Sequence, residues 1–357
     1  MKISTVALAA VATAGSGALG FEKYAISGSP AAAALTSVVA NVVVQQTQGN
    51  GVVVCTGAFI SPTVLLTSAK CVADPVSNKA LASASVMVGQ GSADSALAAA
   101  STNGAIDTQK LSAKGYFAPQ SVFVHPGYNS IAFTDNVAVL VLAQPLANAT
   151  SAKLIVTPSA ATGASYTALG ISLSVSAPSG NTPPRLEQLS LKVGSNSTCT
   201  GVWAPYAQLT NSLCLVPAKT SSNVCSSDAM LVKTAADNSV GLAGLLNIVA
   251  VKGEVPTAQC TTSGVVDFFT TFANYVSWLT QITPLKQSDF VSSAKYNYDS
   301  TGDQDLSSAS QSASDSEDDA ENSSLTHVES THTSAAAGLK AAASLALLVS
   351  ALAGSLI

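Results

Sequence analysis

Charge is scarce in this chain: only 10% of its 357 residues are Asp, Glu, Lys or Arg, against roughly 25% in an ordinary soluble domain. Arg185 is the single arginine, no basic block occurs, and the formal net charge is -5. Without a positive footprint the chain has nothing to hold a phosphate backbone, so nucleic acid is excluded as a partner. Aromatic residues make up 5%. Leu, Glu, Lys and Arg are too sparse for long amphipathic helices, whereas Ala, Ser, Thr and Val suit short strands. Histidine is nearly absent, with His125, His327 and His332 alone. No CxxC or Cys/His pair stands at zinc spacing, so neither a metal nor a cofactor is predicted.

The two ends carry processing signals. Met1-Lys2 precedes an apolar run from Ile3 to Ala14 and the small residues Ala18-Leu19-Gly20, the order of a secretory signal peptide cut near Gly20. Residues 21–25 then form a short pro-like segment. At the other end, the apolar run Ala341 to Ile357 is shorter than the ~20 residues a spanning helix needs and lacks a positive flank. Small residues Ser334-Ala335-Ala336 precede it, so 334–357 reads as a lipid-anchor (GPI) attachment signal, with a single hydrophobic anchor helix as the alternative. Between the body and this tail, residues 285–333 hold two lysines against ten acids. Ser-rich and poor in large apolar residues, this stretch is predicted to be a solvated stalk. His327 and His332 fall within it and read as solvated.

The body, residues 26–284, has nearly balanced charge and reads as all-β. β-branched runs from Val38 to Gln45, Val52 to Ile60, Val64 to Thr67, Ser85 to Val88, Val137 to Leu142 and Leu189 to Val193 alternate with Gly, Pro, Asn and Ser clusters, as in a barrel or sandwich. Only Phe268 to Ile282 approaches helical spacing. All six cysteines, Cys55, Cys71, Cys199, Cys214, Cys225 and Cys260, lie in this body. Behind a signal peptide they predict three disulfides, with the pairing left open by spacing alone.

Several segments resemble the trypsin-like (chymotrypsin-fold) serine proteases across roughly Ile26 to Ile282. The stretch from Cys55 to Cys71, CTGAFISPTVLLTSAKC, is similar to CGGxLIxxxxVLTAAHC. Val124-His-Pro-Gly-Tyr128 resembles VHPxY, the segment from Asp135 to Leu142 resembles DIALLxL, and Cys225-Ser-Ser-Asp-Ala229 falls where CxGDSGGP belongs. Pro184 to Cys199 resembles the strand before the third cysteine, and Tyr275-Val-Ser-Trp278 resembles YxxWI. The resemblance implies two six-stranded antiparallel β-barrels with a C-terminal helix. It also implies the pairs Cys55 with Cys71, Cys199 with Cys214, and Cys225 with Cys260.

The same resemblance implies lost chemistry. The family needs an imidazole base, a carboxylate to orient it and a serine nucleophile; Lys70, Asp135 and Ala229 stand at these three places. His125 is marked by its VHPxY context as a structural strand residue. Ser227 replaces the oxyanion-hole glycine, Met230 follows Ala229, and the pocket base is Asn223 rather than an acid. Val249, in the segment aligned with SWG, narrows that pocket. Ala25 precedes Ile26, so activation cleavage is not expected, and Asp228, without a new amino terminus to pair with, must stay hydrated or find another donor. Lys70 is predicted to satisfy Asp135; the alternative is a Ser-Lys hydrolase using Ser226 or Ser227. Sequons at Asn148, Asn196 and Asn322 predict N-glycosylation, and Gly91 to Lys110 reads as an added loop, padding rather than contact surface.

Taken together, these readings predict a secreted, monomeric, cell-surface protein that binds an extracellular protein without catalysis. Inactive members of this family act as inhibitors or decoys, and the low charge is similar to that of glucanase-inhibitor proteins, inactive relatives that bind hydrolases of host or self. The alternatives are a trypsin-like endopeptidase with residual activity and a structural surface glycoprotein.

Overall fold

The computed structural model describes residues 28–46, 51–90, 101–102, 105–147, 149–172, 185–218, 228–252 and 264–296. Sixteen strands run along this length: β1 Ser29–Pro30, β2 Val39–Gln45, β3 Val52–Ser61, β4 Val64–Thr67, β5 Val86–Gly89, β6 Ser101–Thr102, β7 Ala105–Ile106, β8 Ser121–Val124, β9 Ala138–Val141, β10 Lys153–Leu154, β11 Ser165–Ser172, β12 Arg185–Val193, β13 Ser212–Pro217, β14 Met230–Thr234, β15 Val240–Ala250 and β16 Val266–Thr270.

The first half forms an antiparallel six-stranded sheet in the order β5-β2-β3-β4-β9-β8. Every residue of β3 and β4 is buried, which explains why their sequences are mostly apolar instead of alternating apolar with polar. Period-two geometry sends alternate side chains to opposite cores. From β2 and β3, Val42, Val44, Val53, Cys55 and Phe59 enter the core inside this sheet with Leu65, Val88 and Leu140. Their neighbours Val39, Ala58 and Ile60 face the other way. Gly57 is required where β3 meets β4: a Cβ there would lie 2.5 Å from Leu65 Cδ1.

The second half closes on itself. β12-β11-β14-β15-β16-β13 are joined edge to edge, and β13 pairs back with β12, giving a six-stranded barrel without free edges. Tyr166, Leu189, Leu191, Leu213, Leu215, Leu231, Leu246 and Phe269 fill it. The two sheets share one further core, in which Val39, Ile60, Leu66 and Val139 meet Leu169, Met230, Leu242, Leu245, Phe272 and Tyr275. Of the two six-stranded antiparallel barrels expected, the second is closed and the first is a six-stranded half-barrel whose end strands β5 and β8 do not pair; the C-terminal helix is present.

Two disulfides have the implied pairing. Cys55–Cys71 and Cys199–Cys214 bridge Cα atoms 6.3 and 6.1 Å apart, over separations of 16 and 15 residues; loops of that length contribute about 3 kcal/mol each in the chain-entropy picture. Cys225 and Cys260 lie outside the described residues.

Three boundaries differ from the sequence reading. The stretch Phe268 to Ile282 is not one helix: β16 takes its first part, and the helix is confined to Val276–Ile282. Phe268 and Phe269 point into different cores, the signature of a strand whose apolar run mimicked helical spacing. Second, the body does not stop at Pro284. Helix Gln287–Phe290 buries Phe290 completely in the shared core, and Ser292 N–H donates to Leu154 O at 2.9 Å. Residues 285–296 thus belong to the folded body rather than to the stalk, because one phenylalanine and a main-chain contact outweigh the polar composition around them. Third, the far end of the Gly91 to Lys110 segment is built in: Ile106 N–H donates to Gln45 Oε1 at 2.7 Å, and the helix Thr108–Ser112 is capped by Asp107.

Candidate functional site at the seam of the two barrels

Lys70 lies in the short helix Ala69–Val72, just after β4 and beside the Cys55–Cys71 disulfide. Its partly buried side chain crosses the seam, and Nζ donates to Asn247 O of β15 at 3.0 Å. Asn247 is available for this because it is the extra residue in a β-bulge: Leu246 pairs with Phe269 and Ile248 with Phe268, leaving Asn247 unmatched. A bulge frees and re-aims one residue of a ladder. The Asn247 side chain uses that freedom too, donating from Nδ2 to Phe133 O at 2.7 Å.

Asp135 does not pair with Lys70, contrary to the sequence expectation. Among the described residues, no carboxylate lies within 4.0 Å of the Lys70 ammonium. Asp135 has φ +50°, an unusual backbone for a residue other than glycine, and its side chain turns to the opposite side. There Oδ1 accepts from Tyr275 Oη at 2.8 Å and stands 4.0 Å from His125 Nδ1. Gly127 makes room for it, since a Cβ at that position would lie 2.5 Å from Asp135 Oδ2.

Asn136 takes the place facing Lys70. Completely buried, its Oδ1 accepts from Lys70 N–H at 2.9 Å and its Nδ2 donates to Leu246 O at 3.0 Å. One carboxamide therefore joins the two barrels through a main-chain group of each. The left-handed backbone at Asp135 turns its side chain away from that of Asn136, so a shift of one position exchanges a carboxylate for an amide at the seam.

His125 is held from three directions. Gly127 N–H donates to its Nδ1 at 3.2 Å, and the rings of Tyr275 and Trp278 meet it edge-on at 5.0 and 4.9 Å. Burial pushes the imidazole pKa down, partly offset by the Asp135 charge. The phenol of Tyr275 is pushed well up by burial and by Asp135.

Asp228 is buried just before β14 and has found other donors. Thr56 gives it both N–H and Oγ1, the latter at 2.8 Å, and Ser68 Oγ donates at 2.7 Å. Burial raises its pKa; the Lys70 charge and these hydrogen bonds pull it back down. Lys70 responds in the complementary sense: burial lowers its pKa to about 8, with the Asp228 charge opposing. The Cys55 and Cys71 sulfurs lie within 4.8 Å of Asp228, but both are consumed in the disulfide and offer no thiolate to a metal.

Ala229 follows, its methyl group wholly buried and its carbonyl accepting from Leu246 N–H at 2.8 Å. No side-chain atom of Ala229 can donate, accept or attack. Asn223, Ser226 and Ser227 lie outside the described residues. Val249 is buried and pairs with Asp267 of β16. Asp267 was missed by the sequence reading. Its carboxylate is fully buried without a hydrogen-bond partner among the described residues, and burial raises its pKa well above the ordinary range.

The comparison with family models decides the kinship of this site. Residues 25–279 match the model described as Trypsin. The chain belongs to the trypsin family. A comparison with curated proteins found no match. As a trypsin-family chain, it places Lys70, Asn136, Asp228 and Ala229 together at the seam between its barrels. Neither Thr56 nor Ser68 was legible as part of that group in the sequence, and Asn247 was legible only as the head of the segment aligned with SWG, not as the acceptor for Lys70. Their contact comes from a bulge and from strand pairing rather than from any motif. Asn136 had a signal: the motif DIALLxL has one residue fewer than the stretch from Asp135 to Leu142, so aligning its last leucine with Leu142 puts its acid at Asn136.

Proposed function

We propose that this trypsin-family protein is a non-catalytic binding module, with Lys70, Asn136 and Ala229 at the three places where the family carries its base, orienting acid and nucleophile. The observation that carries this reading is the Lys70–Asn247 hydrogen bond of 3.0 Å, together with the bare, buried methyl of Ala229. A protonated amine that donates to a carbonyl has no lone pair to accept a serine proton, and alanine has no proton to give. Asn136 is neutral, so an imidazolium at position 70 would also lack its counter-charge. The ammonium further occupies a β15 carbonyl, an acceptor that an extended peptide laid along this strand would otherwise use.

The module works outside the cell. It is secreted through its signal peptide, carried on the acidic stalk and held at the surface by a lipid anchor, where it binds an extracellular protein as an inhibitor or decoy of hydrolases. Two formed disulfides suit that compartment. The exposed Asn196, first residue of the helix Asn196–Val202, suits glycan attachment. No helix among the described residues is long and apolar enough to cross a membrane.

Two measurements test the reading. Full-length protein purified from the secretory pathway should neither react with a fluorophosphonate probe nor cleave casein, and it should retain a specific extracellular protein in a pull-down. Casein cleavage that persists after contaminating proteases are removed would overturn the non-catalytic assignment. Failure to retain any protein above a charge-matched control would overturn the binding role.

A further inference from the structure

We propose that Val76 and Ile131 are paired apolar anchors of a docking face that seats in a neutral, aliphatic-lined hollow of an extracellular protein. The proposal rests on the binding role above and assigns the surface that performs it.

These two side chains stand out from the fold. Among the described residues, the large apolar side chains left exposed are Val76 at 73%, Ile131 at 86% and Phe117 at 37%. A single exposed aliphatic is ordinary, but two carried by adjoining loops make a patch, the usual mark of an interaction site. The loops adjoin because Ser130 N–H donates to Asn78 Oδ1 at 3.2 Å and Ser130 Oγ donates to Pro75 O at 3.5 Å. Pro75 and Ser130, the neighbours of the two anchors, are thus in contact.

Both anchors are presented by the same local device. Asp74 Oδ1 accepts from the N–H groups of Val76 and Ser77 at 3.1 and 2.8 Å, and Asn129 Oδ1 accepts from those of Ile131 and Ala132 at 2.9 and 2.8 Å. In each turn a side-chain oxygen takes the N–H two residues on, which Asp and Asn favour, and the anchor occupies that position. Each loop is also closed at its base. Asp74 N–H donates to Lys79 O at 2.8 Å, and Asn129 and Thr134 exchange main-chain hydrogen bonds of 3.2 and 3.3 Å. With the backbone already fixed, docking loses little conformational entropy.

The chemistry of the occupant follows from charge and shape. Residues 129–134 carry no charge, and residues 74–79 carry one acid and one base, Asp74 and Lys79, whose charges cancel. Two projecting aliphatic side chains on a neutral surface fit an apolar depression, where desolvated anchors contribute most of the binding energy. A lipid surface fits less well, because the loops hold neither Trp nor Tyr and only one base, whereas interfacial anchoring uses aromatic rings and clustered Lys or Arg. A second copy also fits less well. Beyond the same two side chains, its described residues offer Phe117 as a large exposed apolar group, too little for the ~800 Å² that each partner of a stable interface covers. The face borders the candidate site: residues 74–79 follow the helix that carries Lys70, and residues 129–134 lead into Asp135 and Asn136.

The test uses immobilised full-length protein and, as probe, the secreted protein fraction of the same cells; the protein retained is identified, purified and titrated against variants. Val76→Asp and Ile131→Asp should each weaken its binding by at least about tenfold, and the double change by about a hundredfold or more. Phe117→Asp should leave affinity unchanged, and raising salt from about 0.1 M to 1 M should alter it less than about twofold. Urea midpoints of the two anchor variants should match the parent, since both side chains lie in solvent. Parental affinity in the double variant would overturn the docking face and leave the binding role standing. Retention of nothing by the parent would overturn both. A steep loss of affinity with salt would overturn the neutral partner surface. Binding to phosphatidylcholine vesicles, or dimerisation in sedimentation, that the double variant abolishes would overturn the choice of a protein hollow in favour of lipid or a second copy.

Discussion

Lys70 Nζ reaches across the seam to Asn247 O at 3.0 Å, tying the helix after β4 to the bulge of β15. The two barrels are thereby joined through a charged donor that has left water for a carbonyl. Burying an ammonium is costly even with one good acceptor, and this cost sets the first prediction.

The Lys70 amine has a folded-state pKa lowered from 10.5 to about 8. Between these values the unfolded chain binds more protons than the folded one, so stability rises with pH in that window. The penalty from Lys70 is present below about pH 8 and is relieved as the pH climbs towards 10.5. Urea midpoints measured from pH 7 to 10 should show this rise, and Lys70→Met should remove Lys70's contribution to it.

Asp267 has the opposite sign. Burial raises its folded-state pKa, so its contribution to stability is greatest below the unfolded value of 3.8 and is lost as pH rises towards the folded one. The flanking strands β13 and β15 carry no charged residue. Asp267→Asn should stabilise the protein at pH 8 by roughly 1–3 kcal/mol and change little at pH 3. Thermal unfolding of both proteins at the two pH values measures the difference.

Asn136 and Asp135 are adjacent in sequence and differ in what they touch. Asn136→Ala removes two buried hydrogen bonds, to Lys70 N–H and Leu246 O, and should cost roughly 2–4 kcal/mol. Asp135→Asn leaves those bonds in place and should cost less, about 1 kcal/mol, through the weaker contact with Tyr275. Equal losses in chemical denaturation would refute the assignment of the seam to Asn136.

Phe290 measures where the folded body ends. Fully buried in the shared core, it should cost about 3–5 kcal/mol when changed to alanine. A chain terminated after Pro284 should lose at least as much, whereas one terminated after Leu306 should keep the parental midpoint.

Hydrolysis provides the last test. Lys70→His alone should give no measurable turnover, because the methyl of Ala229 and the neutral Asn136 remain. Lys70→His with Ala229→Ser should stay far below the triple change that adds Asn136→Asp, since the orienting carboxylate fixes the tautomer of the base. A fluorogenic peptide panel reads all three.

The sequence by itself determined the strand-rich class and the family resemblance, and through that resemblance the pairing of the two disulfides found. These follow from local composition and from motifs in order, which survive without coordinates. Only the tertiary structure decided which of two neighbours meets Lys70, because the left-handed backbone at Asp135, which turns its side chain towards Tyr275, is not written in any local pattern. It alone placed Asn247 in a bulge, turned Thr56 and Ser68 towards Asp228, and left Asp267 without a partner. Each of these depends on pairing between strands far apart in the chain, and no spacing within one segment encodes such contacts. The tail boundary moved for a similar reason: among polar residues, the burial of Phe290 depends on a cavity built by strands that lie elsewhere in the sequence.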